Sequence, residues 1–222
     1  MQASSVLIKN LGLVEYQDAY IAMQSFTKER LPTTPDELWI LQHPSVFTLG
    51  LAGNAANLHQ PVKHIPLIEV DRGGEITYHG PGQIIIYLLL DLKRKKLFVK
   101  ELVHAIEQSV IDTLTKYGVL AERKPGAPGI YIAMRNQTSP FEGAKIAALG
   151  LRIKNGLSYH GLSLNVDMDK SPFDRINPCG FEDLRVTQVA DLIGPVDAGR
   201  NLMQEVSSAL VAALLPRFGY RT

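Results

Sequence analysis

The stretch "IIIYLLL", residues 84–90, decides the fold. It is apolar throughout and rich in isoleucine and leucine. Seven residues are far too few to span a bilayer as a helix. An apolar run without alternating polar residues is typical of a strand that is buried on both faces of a sheet. We therefore predict a central strand here, with packed layers on both of its sides.

Helices are expected on either side of this strand. Apolar residues recur at spacings of three and four in residues 14–29, 100–117 and 198–215, which predicts three amphipathic helices. Gly118 supplies an end for the second helix. The apolar positions are Tyr16, Tyr20, Met23 and Phe26; Val103, Ile106, Val110, Ile111 and Leu114; and Leu202, Val206, Leu210 and Leu214.

Further strands are predicted from short apolar stretches bounded by turn residues. "DELWILQHPSVFTLG" (36–50) indicates two strands broken at His43-Pro44, and "GIYIAM" (129–134), "AKIAALGLRI" (144–153) and "LSYHGLSLNV" (157–166) indicate three more. Helices thus flank and interrupt a mostly β middle. The expected class is α/β (α+β), a mixed sheet flanked by helices, in a single domain over residues 1–222.

Composition excludes several classes of function. Lys and Arg total 23 and Asp and Glu total 22, so the balanced charge does not favour a nucleic-acid or membrane-surface binder. One cysteine excludes a disulfide framework or a cysteine-rich metal site, and His43, His59 and His64 lack carboxylates at metal-ligand spacing. The N-terminus lacks the features of a signal peptide, so we expect a soluble cytoplasmic protein without a bound metal.

A glycine-rich segment precedes the central strand. "RGGEITYHGPGQ" (72–83) has glycine at positions 73, 74, 80 and 82. Glycine permits close approaches that a Cβ would block, so this loop could wrap a ligand and offer it backbone N–H groups. The alternative is a pair of tight turns that only the fold requires. The spacing fits neither GxGxxG nor GxxxxGK[ST].

The one cysteine, Cys179, lies in "RINPCGFEDL" (175–184), between a proline and a glycine. Such a turn can display a side chain, although a single cysteine can equally be an inert core residue. A nucleophilic thiol needs a nearby base or cation, and Lys145, His79 and His160 are candidates. Taken alone, Lys145 would reach back to water and His160 would be a hydrogen-bonded structural residue. Asn165 and Asp167 could simply face solvent.

Four motifs in this order resemble the lipoyl(octanoyl) transferases: "RGGEITYHGPGQ" (72–83), "KIAALGLRI" (145–153), "HGLSLNVDMD" (160–169) and "INPCG" (176–180). The resemblance covers most of residues 35–190. One departure is Lys170, where the family usually has an apolar residue. The resemblance implies the fold of the biotin and lipoate protein ligase catalytic domains and no cofactor. A small globular domain of this kind is expected to work as a monomer.

The resemblance also implies the reaction. Such enzymes move an octanoyl group from octanoyl-acyl carrier protein to one lysine of a lipoyl domain. The acceptors are the E2 subunits of 2-oxoacid dehydrogenase complexes and the glycine cleavage H protein. No nucleic acid and no membrane takes part.

Site residues follow by motif match. The resemblance makes Cys179 the acyl-accepting cysteine and Lys145 its partner, with His79 a second candidate for proton handling or for orienting the site. Arg72 could hold the glycine-rich loop or contact the carrier protein. The implied substrate-binding residues are Arg72, Gly73, Gly74, Glu75, Ile76, Thr77, Tyr78 and His79; Ala148, Leu149 and Gly150; and Gly161, Leu162 and Ser163.

Three other functions remain open from the residues alone. An ATP-dependent lipoate or biotin ligase would share the fold but would not need Cys179. A cysteine hydrolase would use Cys179 with His79 or His160 and release free octanoate. A non-catalytic binding module would bind the carrier protein or the lipoyl domain without forming an acyl-enzyme.

Overall fold

A computed structural model describes residues 6–60, 62–134, 139–178, 184–195 and 199–220. Its strands are β1 (Val6–Leu13), β2 (Asp36–Gln42), β3 (Val46–Leu49), β4 (Leu67–Glu69), β5 (Ile76–His79), β6 (Gln83–Leu89), β7 (Ala121–Lys124), β8 (Ala127–Ile132), β9 (Lys145–Lys154) and β10 (Leu157–Asn165). Its α-helices are α1 (Tyr16–Glu29), α2 (Leu92–Lys95), α3 (Val99–Thr115), α4 (Val189–Ile193) and α5 (Leu202–Arg217), and short 3₁₀ turns cover Ala55–Asn57 and Ser171–Arg175.

The main sheet has seven strands in the order β1-β2-β6-β10-β9-β8-β7. β1 and β2 are parallel, and the other neighbouring strands are antiparallel. A smaller sheet has the order β4-β3-β5 and lies next to the loop that leads into β6. The predicted mixed sheet is therefore confirmed.

The central strand β6 is buried on both faces, as its apolar sequence predicts. Ile84, Ile86 and Leu88 pack in the cluster that contains α3 and α5. Ile85, Tyr87 and Leu89 point to the other face and pack with Ala19 and Met23 of α1 and with β2. Each fully buried aliphatic side chain contributes about 1.5–3 kcal/mol to folding, so this strand helps to hold both helical layers.

The three predicted helices are confirmed, with changes at their edges. α3 buries Ile106, Val110 and Leu114 as expected, but Val103 and Ile111 are only partly buried, because the buried face also includes Leu102 and Glu107. α5 buries the predicted leucines and valine, yet it begins only at Leu202. Asn201 caps this start by accepting a hydrogen bond from the backbone N–H of Gln204.

The turn between β5 and β6 brings the smaller sheet against the main one. Gly82 has a φ of +87°, and a Cβ there would lie 1.8 Å from the carbonyl oxygen of Asp167. Its N–H donates to Gln42 Oε1 at 2.7 Å. Only glycine allows both this backbone conformation and this contact, so the segment that follows β10 can pack directly on the turn.

A buried carboxylate joins distant parts of the chain. Asp36 is fully buried and accepts hydrogen bonds from Arg30 at 2.7 Å, from Arg94 at 2.6 Å and from the hydroxyl of Tyr220 at 2.5 Å. These partners belong to the end of α1, to α2 and to the C-terminal segment. Lys170, the departure noted in the sequence, pairs with Asp191 of α4. No helix within the described ranges is long and apolar enough to cross a membrane.

Candidate active site

A pocket opens over the α1-facing side of the main sheet. Its wall contains residues of the glycine-rich loop, of β6, β9 and β10, and of the segments near residues 178 and 186. The pocket thus gathers chain segments that are far apart in sequence.

The floor of the pocket is made of small residues on paired strands. In the β9–β10 register, Ala148 is opposite Ser163 and Gly150 is opposite Gly161. On the other side of β10, Ser163 and Gly161 are opposite Ile85 and Tyr87 of β6. These four positions line the pocket and carry little or no side chain, so together with Ile85 and Leu149 they form a mostly apolar slot, suited to an alkyl chain.

Lys145 lies at one end of this slot and is buried, with 5% of its surface exposed. Its Nζ donates to the carbonyl oxygen of Pro128 at 2.9 Å. The β8–β9 register shifts here, with Ile130 opposite Ala147 but Tyr131 opposite Lys145, and such a bulge redirects side chains. The expectation that Lys145 reaches water is therefore wrong.

The main chain of Lys145 is held from the other side. Its N–H donates to Arg185 O at 2.8 Å, and its carbonyl accepts from Thr187 N at 2.9 Å. Val186, between these two residues, lines the pocket. The lysine therefore begins β9 between two partners, β8 and residues 185–187, which fix the position of its Cα.

The glycine-rich loop is anchored by Arg72, which is buried. Its Nη2 donates to the carbonyl oxygen of Thr48 at 2.7 Å and to Thr48 Oγ1 at 2.8 Å, and its Nη1 donates to Gly73 O at 3.0 Å. Arg72 therefore holds the loop. Its buried guanidinium has little surface to offer a carrier protein.

Two glycines make room for this loop. A Cβ on Gly50 would lie 2.2 Å from Gly74 O, and one on Gly150 would lie 2.9 Å from Arg72 Cδ. The loop lies between the end of β3 and the middle of β9, and Gly73 N donates to Leu151 O at 2.9 Å. The glycine in "ALGLRI" thus serves the contact with the loop as well as the slot.

His79 belongs to a chain of hydrogen bonds across the pocket floor. Asn165 Nδ2 donates to Thr187 O at 2.9 Å, so Asn165 Oδ1 faces Gln83 and accepts from its Nε2 at 2.8 Å. Gln83 Oε1 then faces His79 Nδ1 at 2.7 Å. Since this oxygen only accepts, Nδ1 carries the proton and Nε2 is left to accept from Thr48 Oγ1 at 3.4 Å.

This environment keeps His79 neutral. Burial, and after it the charges of nearby His43 and Arg72, lower the pKa of His79 to about 3. A histidine with that pKa is a poor proton carrier at neutral pH, so the structure favours the orienting role over proton handling. Asn165 is buried rather than solvent-facing, so that expectation is wrong, whereas Asp167 is exposed.

Aromatic side chains close the pocket at the end away from Lys145. Tyr16 and Tyr87 line it there, and His43 lies behind them. His43 Nδ1 donates to Val14 O at 2.7 Å, so its Nε2 accepts the hydroxyl of Tyr87 at 2.7 Å. Burial lowers the pKa of His43 to about 4. The hydroxyl of Tyr87 in the wall is thus hydrogen-bonded to His43 behind it.

His160 is hydrogen-bonded, as expected for a strand histidine, and it also lines the pocket. Its Nε2 lies 3.1 Å from Asp71 Oδ1, and Asp71 also accepts from the hydroxyl of Tyr159. Burial lowers the pKa of His160, although Asp71 opposes the shift. Its φ of +58° is unusual for a non-glycine residue within a strand, and the contact with Asp71 helps to hold it.

The pocket brings together most of the residues that the motifs indicate. Gly73 lies beside the wall, and Tyr78 turns away from it to bond Ser45 Oγ at 2.9 Å. Cys179 lies outside the described residues, and Pro178, directly before it in the sequence, lines the pocket. The predicted residues in the wall are Arg72, Gly74, Glu75, Ile76, Thr77, His79, Lys145, Ala148, Leu149, Gly150, Gly161, Leu162 and Ser163.

Several contributors were not predicted from the sequence. Gln83 and Thr48 hold His79, and Tyr16 closes the slot. The sequence contains an indication of the role of Glu107, because this carboxylate lies among the apolar positions that α3 buries. Gln83, directly before an entirely apolar strand, carried a similar signal.

Comparisons with known proteins identify the family of this chain. Residues 15–215 match the family model of the lipoyl protein ligase A/B catalytic domain. An octanoyltransferase of Polynucleobacter asymbioticus is 56% identical over 96% of this chain and 99% of its own length, and one of Dechloromonas aromatica is 55% identical over 92% and 96%. A putative lipoate protein ligase of Thermoplasma acidophilum superposes with a TM-score of 0.70 over 98% of this chain and 86% of its own, at 15% identity, and thus shares the fold. The chain belongs to the octanoyltransferases, a family of acyltransferases with the lipoyl protein ligase A/B catalytic domain.

Proposed function

We propose that the enzyme transfers an octanoyl group from octanoyl-acyl carrier protein to a lysine of a lipoyl domain, through a thioester on Cys179. The acceptors in this proposal are the lipoyl domains of 2-oxoacid dehydrogenase E2 subunits and the glycine cleavage H protein. The names of the curated relatives support octanoyl transfer. The donor, the acceptors and the cysteine intermediate are inferred from the motifs and from the chemistry of the site.

One observation carries the proposal. The buried ammonium group of Lys145 stands at the end of an apolar slot, and Pro178, the residue directly before Cys179, lines the same pocket. A cation beside a thiol favours the thiolate, which is the nucleophilic form. The slot offers an alkyl chain apolar surface on β6, β9 and β10, and each buried methylene contributes about 0.8 kcal/mol.

The first step exchanges one thioester for another. The sulfur of Cys179 attacks the carbonyl carbon of the octanoyl thioester, a new C–S bond forms, and the bond to the carrier's sulfur breaks. The carrier thiolate leaves and takes up a proton. Because one thioester is broken and another is formed, the free energy changes little and no other energy source is required. Lys145 stabilises the attacking thiolate in this step.

The second step forms an amide. The amine of the acceptor lysine attacks the carbonyl carbon of the acyl-enzyme, a C–N bond forms, and the sulfur of Cys179 leaves. The amine must lose a proton; in this proposal the ammonium of Lys145 gives a proton to the departing sulfur and the resulting neutral amine takes up the proton of the acceptor. The apolar slot holds the chain unchanged through both steps.

Intact-protein mass spectrometry tests the proposal. Wild type, Cys179→Ser and Lys145→Ala are each mixed with octanoyl-acyl carrier protein in the absence of ATP. We expect a gain of one octanoyl group on wild type, removed by hydroxylamine and mapped to Cys179, and its discharge onto an added lipoyl domain.

Two outcomes would contradict the proposal. Transfer that needs ATP and survives in Cys179→Ser would indicate an adenylate-forming ligase. Release of free octanoate without an acceptor, as fast as transfer, would indicate a hydrolase. Lys145→Ala should form the adduct far more slowly, and an unchanged rate would remove the lysine from the proposed mechanism.

A further inference from the structure

One peptide group, between Pro128 and Gly129, stands between a buried carboxylate and the lysine of the site. Its carbonyl oxygen accepts from Lys145 Nζ at 2.9 Å, and its N–H donates to Glu107 Oε1 at 3.3 Å. We propose that Glu107 is a positioning residue, which orients this peptide and thereby holds the ammonium group of Lys145 at the end of the slot. The inference rests on the proposed role of Lys145.

Glu107 is itself firmly held. It is 7% exposed and lies on the face of α3 that packs against the sheet. Arg123 Nε donates to its Oε2 at 3.0 Å, and Arg123 Nη2 donates to Gln108 Oε1 at 2.9 Å. Oε1 is thus left for the N–H of Gly129. A buried carboxylate costs free energy unless it is paired, and here both of its oxygens have donors.

Gly129 makes this arrangement possible. It has a φ of +129°, a backbone conformation that other residues rarely adopt, and a Cβ there would lie 2.6 Å from Lys145 Cε and 3.0 Å from Nζ. The lysine side chain therefore passes directly over the α-carbon of Gly129. This close passage aligns the ammonium group with Pro128 O rather than with solvent.

The physical effect runs through the peptide. An N–H that donates to a carboxylate is polarised, and the carbonyl of the same peptide becomes a stronger acceptor. The carboxylate thus strengthens the hold on the ammonium group without contacting it. Direct pairing would put a full negative charge next to the lysine and oppose a thiolate nearby, because like charges repel more strongly in a buried site.

Two other groups lie near Lys145 and are oriented differently. The ring of Tyr131 lies 5.4 Å from Nζ, and Lys124 Nζ lies 4.5 Å from the same ring and donates to Gly143 O at 3.1 Å. Lys124 adds positive charge on the same side but is directed elsewhere. A purely structural role of Glu107, as the partner of Arg123 between α3 and β7, is the competing explanation.

The pH dependence of thiol alkylation separates the two explanations. Cys179 is the one cysteine of the chain, so its reaction with iodoacetamide can be followed without another thiol in the background. Wild type, Glu107→Gln, Lys145→Ala and the control Asp112→Asn are compared. Asp112 also lies on α3 and also pairs with an arginine, Arg217, so the control removes an equivalent charge.

In Glu107→Gln, we expect the pH at which the alkylation rate is half-maximal to rise by about 0.5–1 unit, because one charged hydrogen bond is lost. Lys145→Ala should move this midpoint in the same direction. Asp112→Asn should leave the midpoint unchanged. Thermal denaturation shows which variants are folded at the assay temperature. If Glu107→Gln does not fold, Glu107→Asp keeps the charge but withdraws the carboxylate from the N–H of Gly129, and it should shift the midpoint in the same direction.

The outcomes distinguish this inference from the proposed function. A shift in Lys145→Ala with none in Glu107→Gln or Glu107→Asp would overturn the role of Glu107 and leave the proposed function standing. An equal shift in Asp112→Asn would also overturn it. No shift in Lys145→Ala would overturn the proposed role of the lysine and, with it, this inference.

Discussion

Mild acid should destabilise this protein more than its carboxylates explain, because two buried histidines fold in the neutral form. The pKa of His79 is lowered to about 3 and that of His43 to about 4, in both cases mainly by burial. A histidine whose pKa is lowered in the folded state contributes stability that is fully present above the pKa of the unfolded state, 6.5. This stability is lost as the pH falls towards the pKa of the folded state.

The size of the effect follows from these values. Between the unfolded pKa of 6.5 and pH 5, over about 1.5 pH units, each unfolded histidine binds a proton that the folded one does not. This difference lowers the free energy of unfolding by about 2 kcal/mol per histidine. Through His43 and His79 together, the free energy of unfolding should therefore fall by about 4 kcal/mol when the pH is lowered from 7.5 to 5. For a protein of this size, the thermal midpoint should fall by roughly 10 °C. His160, whose pKa burial also lowers, acts in the same direction.

Urea unfolding at the two pH values measures this loss, with the fluorescence of Trp39, the one tryptophan, as the probe. His79→Asn removes one titrating group, while the amide can still donate to Gln83. In this variant the loss between pH 7.5 and pH 5 should shrink by about 2 kcal/mol. The matched control is His104→Asn on the exposed side of α3. Its free energy of unfolding should fall between pH 7.5 and pH 5 by as much as that of wild type.

A loss of unfolding free energy that is equal in His79→Asn and in wild type would refute the reasoning, since His79 would then titrate alike in the folded and unfolded states. A gain in stability towards pH 5 would contradict the sign for both buried histidines.

Three further predictions concern the slot, the loop and the core. Tyr16→Ala should lengthen the slot. The preference for a decanoyl over an octanoyl donor, measured by competition in mass spectrometry, should then rise up to about 15-fold, because two more methylenes are buried. An unchanged ratio would place the end of the slot elsewhere. Thr48→Val removes the hydroxyl that accepts from Arg72 and should lower kcat/KM for the donor about 10-fold, whereas Thr115→Val, whose hydroxyl is exposed, should not. Asp36→Asn should cost about 3–5 kcal/mol in urea unfolding because its buried cationic partners lose their counter-charge, and a cost below about 1 kcal/mol would contradict that.

Local sequence determined the layers of this protein. The unbroken apolar run at 84–90 could only be satisfied by burial on both faces, and β6 indeed packs with α3 and α5 on one side and with α1 on the other. The periodic helices and the strands after residue 129 were likewise readable, because side-chain direction repeats every two or 3.6 residues within an element. The candidate site was readable only as residue types in chain order: a glycine-rich loop, a lysine and a thiol.

Tertiary structure alone decided how those residues act. Gln83 and Asn165 bond each other across 82 positions of sequence, Lys145 finds its acceptor 17 residues away on β8, and Arg72 binds Thr48 on the smaller sheet. Neither burial nor a hydrogen-bond partner is a property of one residue; both depend on which strands pair and in what register. Lys145 is buried for that reason, although its sequence alone suggested that it would reach water.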